Sequence, residues 1–184
     1  MGKAHFTGGK TMNVLDHIKT FPDYPVKGIN FYDLNSLFVN PVWPDVISNT
    51  TMEVRRMCGY ISHFVGIESR GFVYGAALAQ EMKLPFCMIR KKGSKYPGDL
   101  LEESYTLEYG TNTLVLQKDV LDSNSRVVIV DDLVATGGSL QAATRLVEQT
   151  RARVVGSTCV INLRYLNDLD ENKGLYSIVI VFND

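Results

Sequence analysis

The chain has 184 residues, 45% of them hydrophobic, with 19 Lys and Arg against 20 Asp and Glu and a formal net charge of −1. That length suits a single domain with a real core, and the near-neutral charge excludes bulk attraction to nucleic acid or an anionic membrane. No apolar run approaches the roughly 18 residues of a membrane span, the N-terminus MGKAHFTGGK has no apolar signal core, and Cys58, Cys87 and Cys159 read as widely spaced reduced thiols, so a cytoplasmic protein is expected.

Residues 1–10 carry no pattern and are expected to be disordered. Thr11 to Thr20 is a short helix candidate with Met12, Leu15 and Ile18 on one face. Phe21-Pro22-Asp23-Tyr24-Pro25-Val26-Lys27-Gly28 ends it in turns, and Ile29 to Leu34 is extended. Pro41 opens a helix to about Cys58, striped by Trp43, Val46, Ile47, Val54 and Met57. His63 to Ile67 is a short buried strand, followed by Glu68-Ser69-Arg70-Gly71 and a helix from Phe72 to Met82. Phe86 to Ile89 is a strand running into Arg90-Lys91-Lys92. Gly93 to Glu103 lacks periodicity, and so long a polar loop in a small domain reads as a lid or binding loop. Ser104 to Tyr109 and Thr113 to Lys118 read as strands around Gly110-Thr111-Asn112. Val127 to Val130 is a strand buried on both faces, Leu140 to Gln149 has helical spacing, and Val154 to Asn162 and Ser177 to Phe182 are the last strands. The alternation predicts an α/β fold, a mainly parallel central sheet with helices on both faces.

The unit Val127–Gln149 carries the strongest chemical signal. Asp131 and Asp132 sit where its strand ends, and Ala135-Thr136-Gly137-Gly138-Ser139 leads into its helix. Open α/β sheets bind ligands at the carboxyl ends of their strands, and the N–H groups of a Gly-rich turn entering a helix bind phosphate. Neither G-x-x-x-x-G-K-[ST] nor G-x-G-x-x-G occurs in the chain. Two acids just before a phosphate cradle suit a pair of hydroxyls beside that phosphate, as on ribose 5-phosphate, and Thr136 and Ser139 can add hydroxyl donors. Glu68-Ser69-Arg70-Gly71 offers an arginine and free amides to an anion at a second strand end; taken alone it reads equally well as an exposed Glu68–Arg70 pair. Arg90, Lys91, Lys92 and Lys95 form the dense basic cluster, either a solvated charge run or the anion-facing edge of the loop that follows. Phe31 is by composition an ordinary core aromatic.

The run Val127–Ser139 resembles the 5-phosphoribosyl 1-pyrophosphate (PRPP) signature of the type I phosphoribosyltransferases. The resemblance implies that Asp131 and Asp132 bind the ribose 2- and 3-hydroxyls and that Ala135, Thr136, Gly137, Gly138 and Ser139 hold the 5-phosphate. It assigns pyrophosphate to Glu68, Ser69, Arg70, Arg90, Lys91 and Lys95. Phe21-Pro22-Asp23-Tyr24-Pro25 with Gly28-Ile29-Asn30-Phe31-Tyr32-Asp33 resembles the hood, residues 20–36, of the family's adenine-specific branch. Gly66–Phe72 and Ser104–Gly110 resemble it too, and the likeness runs from about residue 11 to 182. It implies that adenine stacks on Phe31 while backbone groups at Asn30 and Tyr32 read its edge; many relatives carry Arg in place of Tyr32. Glu108, a strand residue facing opposite to Leu107 and Tyr109, matches the family's acid at N7 of the base, with Tyr105 and Tyr109 as weaker candidates. Residues 93–103 become a flexible lid.

The implied reaction joins adenine to PRPP at N9, releasing AMP and pyrophosphate. Its Mg²⁺ is held by PRPP and water near Asp131, with no direct protein ligand. A homodimer is implied, with Arg90 reaching the neighbouring site. A 6-oxopurine substrate is the nearest alternative, opposed by the hood pattern. A PRPP- or purine-sensing regulator is the other, opposed by the lack of room for a helix-turn-helix in the roughly 20 residues before the hood.

Overall fold

The structure is a computed structural model that describes residues 13–107, 110–169 and 171–181. In chain order its strands are β1 (Lys19–Phe21), β2 (Phe31–Asp33), β3 (His63–Ile67), β4 (Phe86–Lys91), β5 (Leu100–Leu107), β6 (Gly110–Gln117), β7 (Arg126–Val130), β8 (Leu133–Val134), β9 (Arg153–Leu163) and β10 (Leu175–Val181). The α-helices are α1 (Asn35–Phe38), α2 (Trp43–Cys58), α3 (Arg70–Met82) and α4 (Gly138–Glu148). The central sheet runs β10-β9-β7-β3-β4-β6-β5, with β8 paired to β9. From β10 to β4 all neighbours are parallel; β6 and β5 extend the sheet as an antiparallel hairpin.

The expected two-faced core is present. Val127, Val128, Ile129 and Val130 are all fully buried. Alternation along the strand sends Val128 and Val130 to the face covered by α2 and α3, with Val46, Val54, Tyr74 and Leu78. Val127 and Ile129 face α4, with Leu140, Ala143, Leu146 and Val147. Helix α3 lies close against the sheet because two of its residues lack a Cβ. A Cβ on Gly71 would stand 2.9 Å from the Val130 carbonyl oxygen, and one on Gly75 would stand 2.6 Å from Phe86 Cε2.

Four expectations need correction. The helix over Thr11–Thr20 is a single 3-10 turn, Val14–His17, followed by β1, which pairs with β2; Thr11 and Met12 lie outside the described residues. The Ser36 hydroxyl accepts the Lys19 N–H at 2.8 Å, so a tertiary contact and the hairpin take the backbone that a helix would have used. The loop expected over 93–103 ends earlier. Strand β5 begins at Leu100 and pairs with β6 from Leu100 opposite Gln117 to Leu107 opposite Gly110. Glu102 is held by Lys92 at 2.7 Å and Glu103 by Arg145 at 2.6 Å, partners that give this acidic stretch a reason to be strand. Gly110-Thr111-Asn112, expected as a turn, belongs to β6. Helix α3 also begins at Arg70, two residues ahead of its apolar pattern, which matters for the site.

Candidate active site

The carboxyl ends of β3, β4 and β7 meet at one cleft. It is lined by Glu68, Ser69, Arg70, Lys91, Asp131, Asp132 and Ser139, with Ile67, Tyr105 and Leu133 completing its surface. Ile67 and Leu133 carried no functional signal in the sequence.

The acid pair is fixed from behind by β9. The Asp131 N–H donates to the Thr158 carbonyl at 3.1 Å, and the Asp132 carbonyl accepts the N–H groups of Val160 and Ile161, each at 3.1 Å. Both residues are buried, each only 7% exposed. Asp131 Oδ1 accepts the Asp132 N–H at 2.9 Å, and the Ser139 hydroxyl donates to Oδ2 at 3.4 Å. Burial, then the neighbouring Asp132 charge, pushes the Asp131 carboxyl well above the ordinary range. Arg70 Nε stands 2.8 Å from Asp132 Oδ2. The two are close enough to attract but not aligned for a hydrogen bond, and Asp132 Oδ2 has no hydrogen-bond partner among the described residues.

The turn after the pair enters α4 without a side-chain cap. Strand β8 ties Leu133 and Val134 to Ile161 and Asn162 of β9. Gly137, at φ +83°, takes a left-handed conformation that side chains resist and caps α4 without a side-chain hydrogen bond. The first N–H groups of α4, beginning at Gly138 and Ser139, therefore keep their capacity for a ligand, reinforced by the helix dipole. Tyr105 closes on this turn: a Cβ on Gly138 would lie 3.4 Å from Tyr105 Cδ2. Ser139 lines the cleft and Thr136 is exposed beside it.

Glu68 has its carboxylate oxygens engaged within the chain. Oε2 accepts the Lys91 N–H at 2.8 Å and the Ser94 hydroxyl at 3.0 Å, and Arg90 Nε lies 3.5 Å away. Burial raises its pKa, but the bonds from Lys91, Ser94 and Arg90 outweigh burial and hold it below the usual value. Arg90 Nη1 also donates to the Lys95 carbonyl at 3.2 Å, and its guanidinium sits 5.5 Å from the Tyr96 ring centre. Arg90 and the exposed Lys95 are outside the cleft lining; Ser69, Arg70 and Lys91 are in it.

The β1–β2 hairpin brings Phe31 to the same place. The Arg70 guanidinium carbon stands 5.5 Å from the Phe31 ring centre, and Tyr24 meets that ring edge-on at 5.2 Å. Tyr32, next along the strand, turns its side chain the other way, against the core face covered by α2 and α3. Its burial, with a smaller contribution from Tyr165, raises its phenol pKa. Asn30 is exposed at the edge of the hairpin. Glu108 and Tyr109 lie outside the described residues. No local pattern marks the Arg70–Asp132 pairing or the part played by Ser94, since each joins segments far apart in the chain.

Residues 51–181 match the family model described as the phosphoribosyl transferase domain. The chain is 42% identical over 163 residues to an adenine phosphoribosyltransferase of Rhodospirillum rubrum, covering 88% of this chain and 94% of that protein. Among solved structures it resembles adenine phosphoribosyltransferase from Rhodothermus marinus, with a TM-score of 0.80 and 36% identity over 90% of this chain and 95% of that one. It also resembles the Saccharomyces cerevisiae enzyme solved with adenine and an imino-altritol bisphosphate, with a TM-score of 0.81 and 32% identity over 89% of this chain and 96% of that one.

Proposed function

The chain belongs to the adenine phosphoribosyltransferases of the phosphoribosyl transferase family, and from that premise we propose that it transfers the 5-phosphoribosyl group of PRPP to N9 of adenine, giving AMP and pyrophosphate. One arrangement carries this reading: two adjacent buried carboxylates lie between an uncapped helix N-terminus and the cationic groups Arg70 and Lys91. PRPP has the same order of parts, a 5-phosphate, a diol and a pyrophosphate.

Asp131 and Asp132 accept hydrogen bonds from the ribose 2- and 3-hydroxyls. The N–H groups of the Ala135–Ser139 turn, with the Thr136 and Ser139 hydroxyls, receive the 5-phosphate. Ser69, Arg70 and Lys91 face the pyrophosphate, and Glu68 holds Lys91 and the following turn in place for it. Arg90 and Lys95 add positive charge nearby. Breaking the bond at the anomeric carbon builds positive charge on the ribose, as in glycoside hydrolysis. The acid pair offsets that charge, and the cationic groups offset the charge leaving on pyrophosphate. Adenine stacks on Phe31, with Asn30 and Tyr32 offering backbone groups to its edge. Glu108 manages the proton at N7 as N9 attacks, and Tyr105 and Tyr109 contact the substrate or the covering loop. The loop between β4 and β5 excludes water that would otherwise hydrolyse PRPP.

The donor set suits Mg²⁺ carried by the substrate. Asp132 Oδ2 lacks a hydrogen-bond partner, and no group of three or more His, Cys, Asp or Glu able to hold a metal occurs among the described residues. PRPP and water would supply most ligands near Asp131, and bound Mg²⁺ supplies charge neutralisation at the pyrophosphate.

A homodimer completes the proposal, with Arg90 released from Glu68 and Tyr96 to reach the neighbouring site. Recovery of activity on mixing Arg90→Ala with Asp132→Asn chains supports that arrangement, and no recovery counts against it. The free thiols of Cys58, Cys87 and Cys159 suit a reducing, cytoplasmic setting.

The test is AMP formation from adenine and PRPP with Mg²⁺ and with EDTA. Turnover that EDTA stops, and that Asp132→Asn reduces by about a hundredfold or more, supports the reading. Turnover indifferent to Asp132 would sink it. Glu108→Gln should slow the chemical step far more than it weakens PRPP binding; equal effects on both would remove Glu108 from the chemistry.

A further inference from the structure

The turn assigned to the 5-phosphate is braced by a segment that the substrate does not touch in the proposed mechanism. After β9 the chain makes a 3-10 turn, Arg164–Leu166, and returns past the site. There Asn167 Nδ2 donates to the Ala135 carbonyl, to Asn162 Oδ1 at 2.9 Å and to the Leu163 carbonyl at 3.0 Å. Asn167 Oδ1 accepts the Leu169 N–H at 2.9 Å. Asn162, only 1% exposed, donates to the Leu169 carbonyl at 2.9 Å. Leu169 in turn occupies the space beside Gly137, where a Cβ would stand 2.6 Å from Leu169 Cδ1.

We propose that Asn167 is a positioning residue for the 5-phosphate turn. In a planar trans peptide the carbonyl and the following N–H point in opposite directions. Holding the Ala135 oxygen toward Asn167 therefore directs the Thr136 N–H to the other side of the turn, and the same grip fixes how Gly137 enters α4. The left-handed Gly137 has no side chain with which to fix itself, so an outside contact must choose among its conformations. Asn167 supplies the contact by donation and Leu169 by packing, and Asn162 locks both to β9. Asn suits the position because it offers a donor and an acceptor on one short, planar group. Asp keeps the acceptor for Leu169 and replaces the donor with a carboxylate oxygen, which repels the Ala135 carbonyl and the Asn162 oxygen.

This inference rests on the proposed function, and its test separates the two. Asn167→Asp is compared with the wild type for the KM of PRPP and of adenine, for kcat, and for inhibition by ribose 5-phosphate and by pyrophosphate. The expected result is a rise of about tenfold or more in the KM for PRPP and in the inhibition constant of ribose 5-phosphate. Pyrophosphate inhibition and the KM for adenine stay within about twofold, which also shows that the rest of the site is folded. Equal weakening of all four, or of none, overturns the proposal. Should Asn167→Asp fail to fold by circular dichroism, Asn167→Ser loses the reach to Ala135 without adding charge and is read the same way. Wild-type protein that binds ribose 5-phosphate but makes no AMP overturns the proposed function alone, and calorimetric affinity for ribose 5-phosphate then decides the role of Asn167. Wild-type protein that binds no ribose 5-phosphate overturns both.

Discussion

Arg70 Nε lies 2.8 Å from Asp132 Oδ2 while the same guanidinium stands 5.5 Å from the centre of the Phe31 ring. One side chain at the start of α3 thus spans the acid assigned to ribose and the aromatic assigned to the base. Arg70→Lys keeps the charge but loses the planar surface and its fork of donors. It is expected to lower kcat/KM by about tenfold, equivalent to ~1.4 kcal/mol, and to raise the KM of both substrates. A rise confined to PRPP would show that Arg70 serves the pyrophosphate without touching the base.

Asp131 has an inverse relation between stability and substrate binding. Its folded pKa lies above the ordinary value of 3.8, because of burial and then the Asp132 charge. Between those two values the folded state keeps a proton that the unfolded state has lost. Its contribution to stability therefore falls as pH rises through that window and stays reduced above it. Asp131→Asn removes the penalty. The variant should melt about 2–4 °C higher than wild type near pH 7, gain little near pH 4, and bind PRPP at least about tenfold more weakly. Thermal melts at both pH values check this, and an equal shift at both would refute the titration argument.

Glu68 is expected to act through the strand-end geometry. Glu68→Gln breaks the ion pair with Arg90 and leaves Lys91 N–H and Ser94 competing for one acceptor oxygen. Pyrophosphate inhibition should weaken by about tenfold, with the KM of adenine unchanged. The lowered Glu68 pKa keeps the carboxylate charged until pH falls below the ordinary 4.5, so the wild-type to variant ratio should be flat between about pH 5.5 and pH 8. A ratio that changes across that range would assign the effect to another group.

Phe31 and Tyr32 are adjacent but face opposite sides of β2. Phe31→Ala should raise the KM for adenine by about tenfold, the usual worth of base stacking, and leave pyrophosphate binding intact. Tyr32→Phe keeps the ring packed in the core and should leave the preference for adenine over hypoxanthine within about twofold. A larger change would move the Tyr32 side chain into base recognition.

The parts of the site that were legible in the sequence are those compressed into short runs. Val127–Val130 shows itself because both faces of its strand are apolar, and Asp131, Asp132 and the Gly137 turn follow within ten residues. The hairpin that carries Phe31 was harder to read. Leu15 and Ile18, which suggest a longer helix, instead lie in a single 3-10 turn and at its exit, where Ile18 is buried. The second half of β5 is legible, but its first half, Leu100–Glu103, is hidden because Glu102 and Glu103 look like loop residues until Lys92 and Arg145 are brought beside them. Contacts such as Arg70–Asp132, Glu68–Lys91 and Asn167–Ala135 leave no periodic trace, since they arise only when strand ends converge.

The most direct test supplies the wild-type protein with PRPP, Mg²⁺ and adenine, hypoxanthine, guanine or xanthine in separate reactions, following pyrophosphate release and nucleotide formation together. Adenine alone should be turned over, with one AMP formed for each pyrophosphate released. Turnover of a 6-oxopurine in place of adenine, or none with any base, would contradict the account.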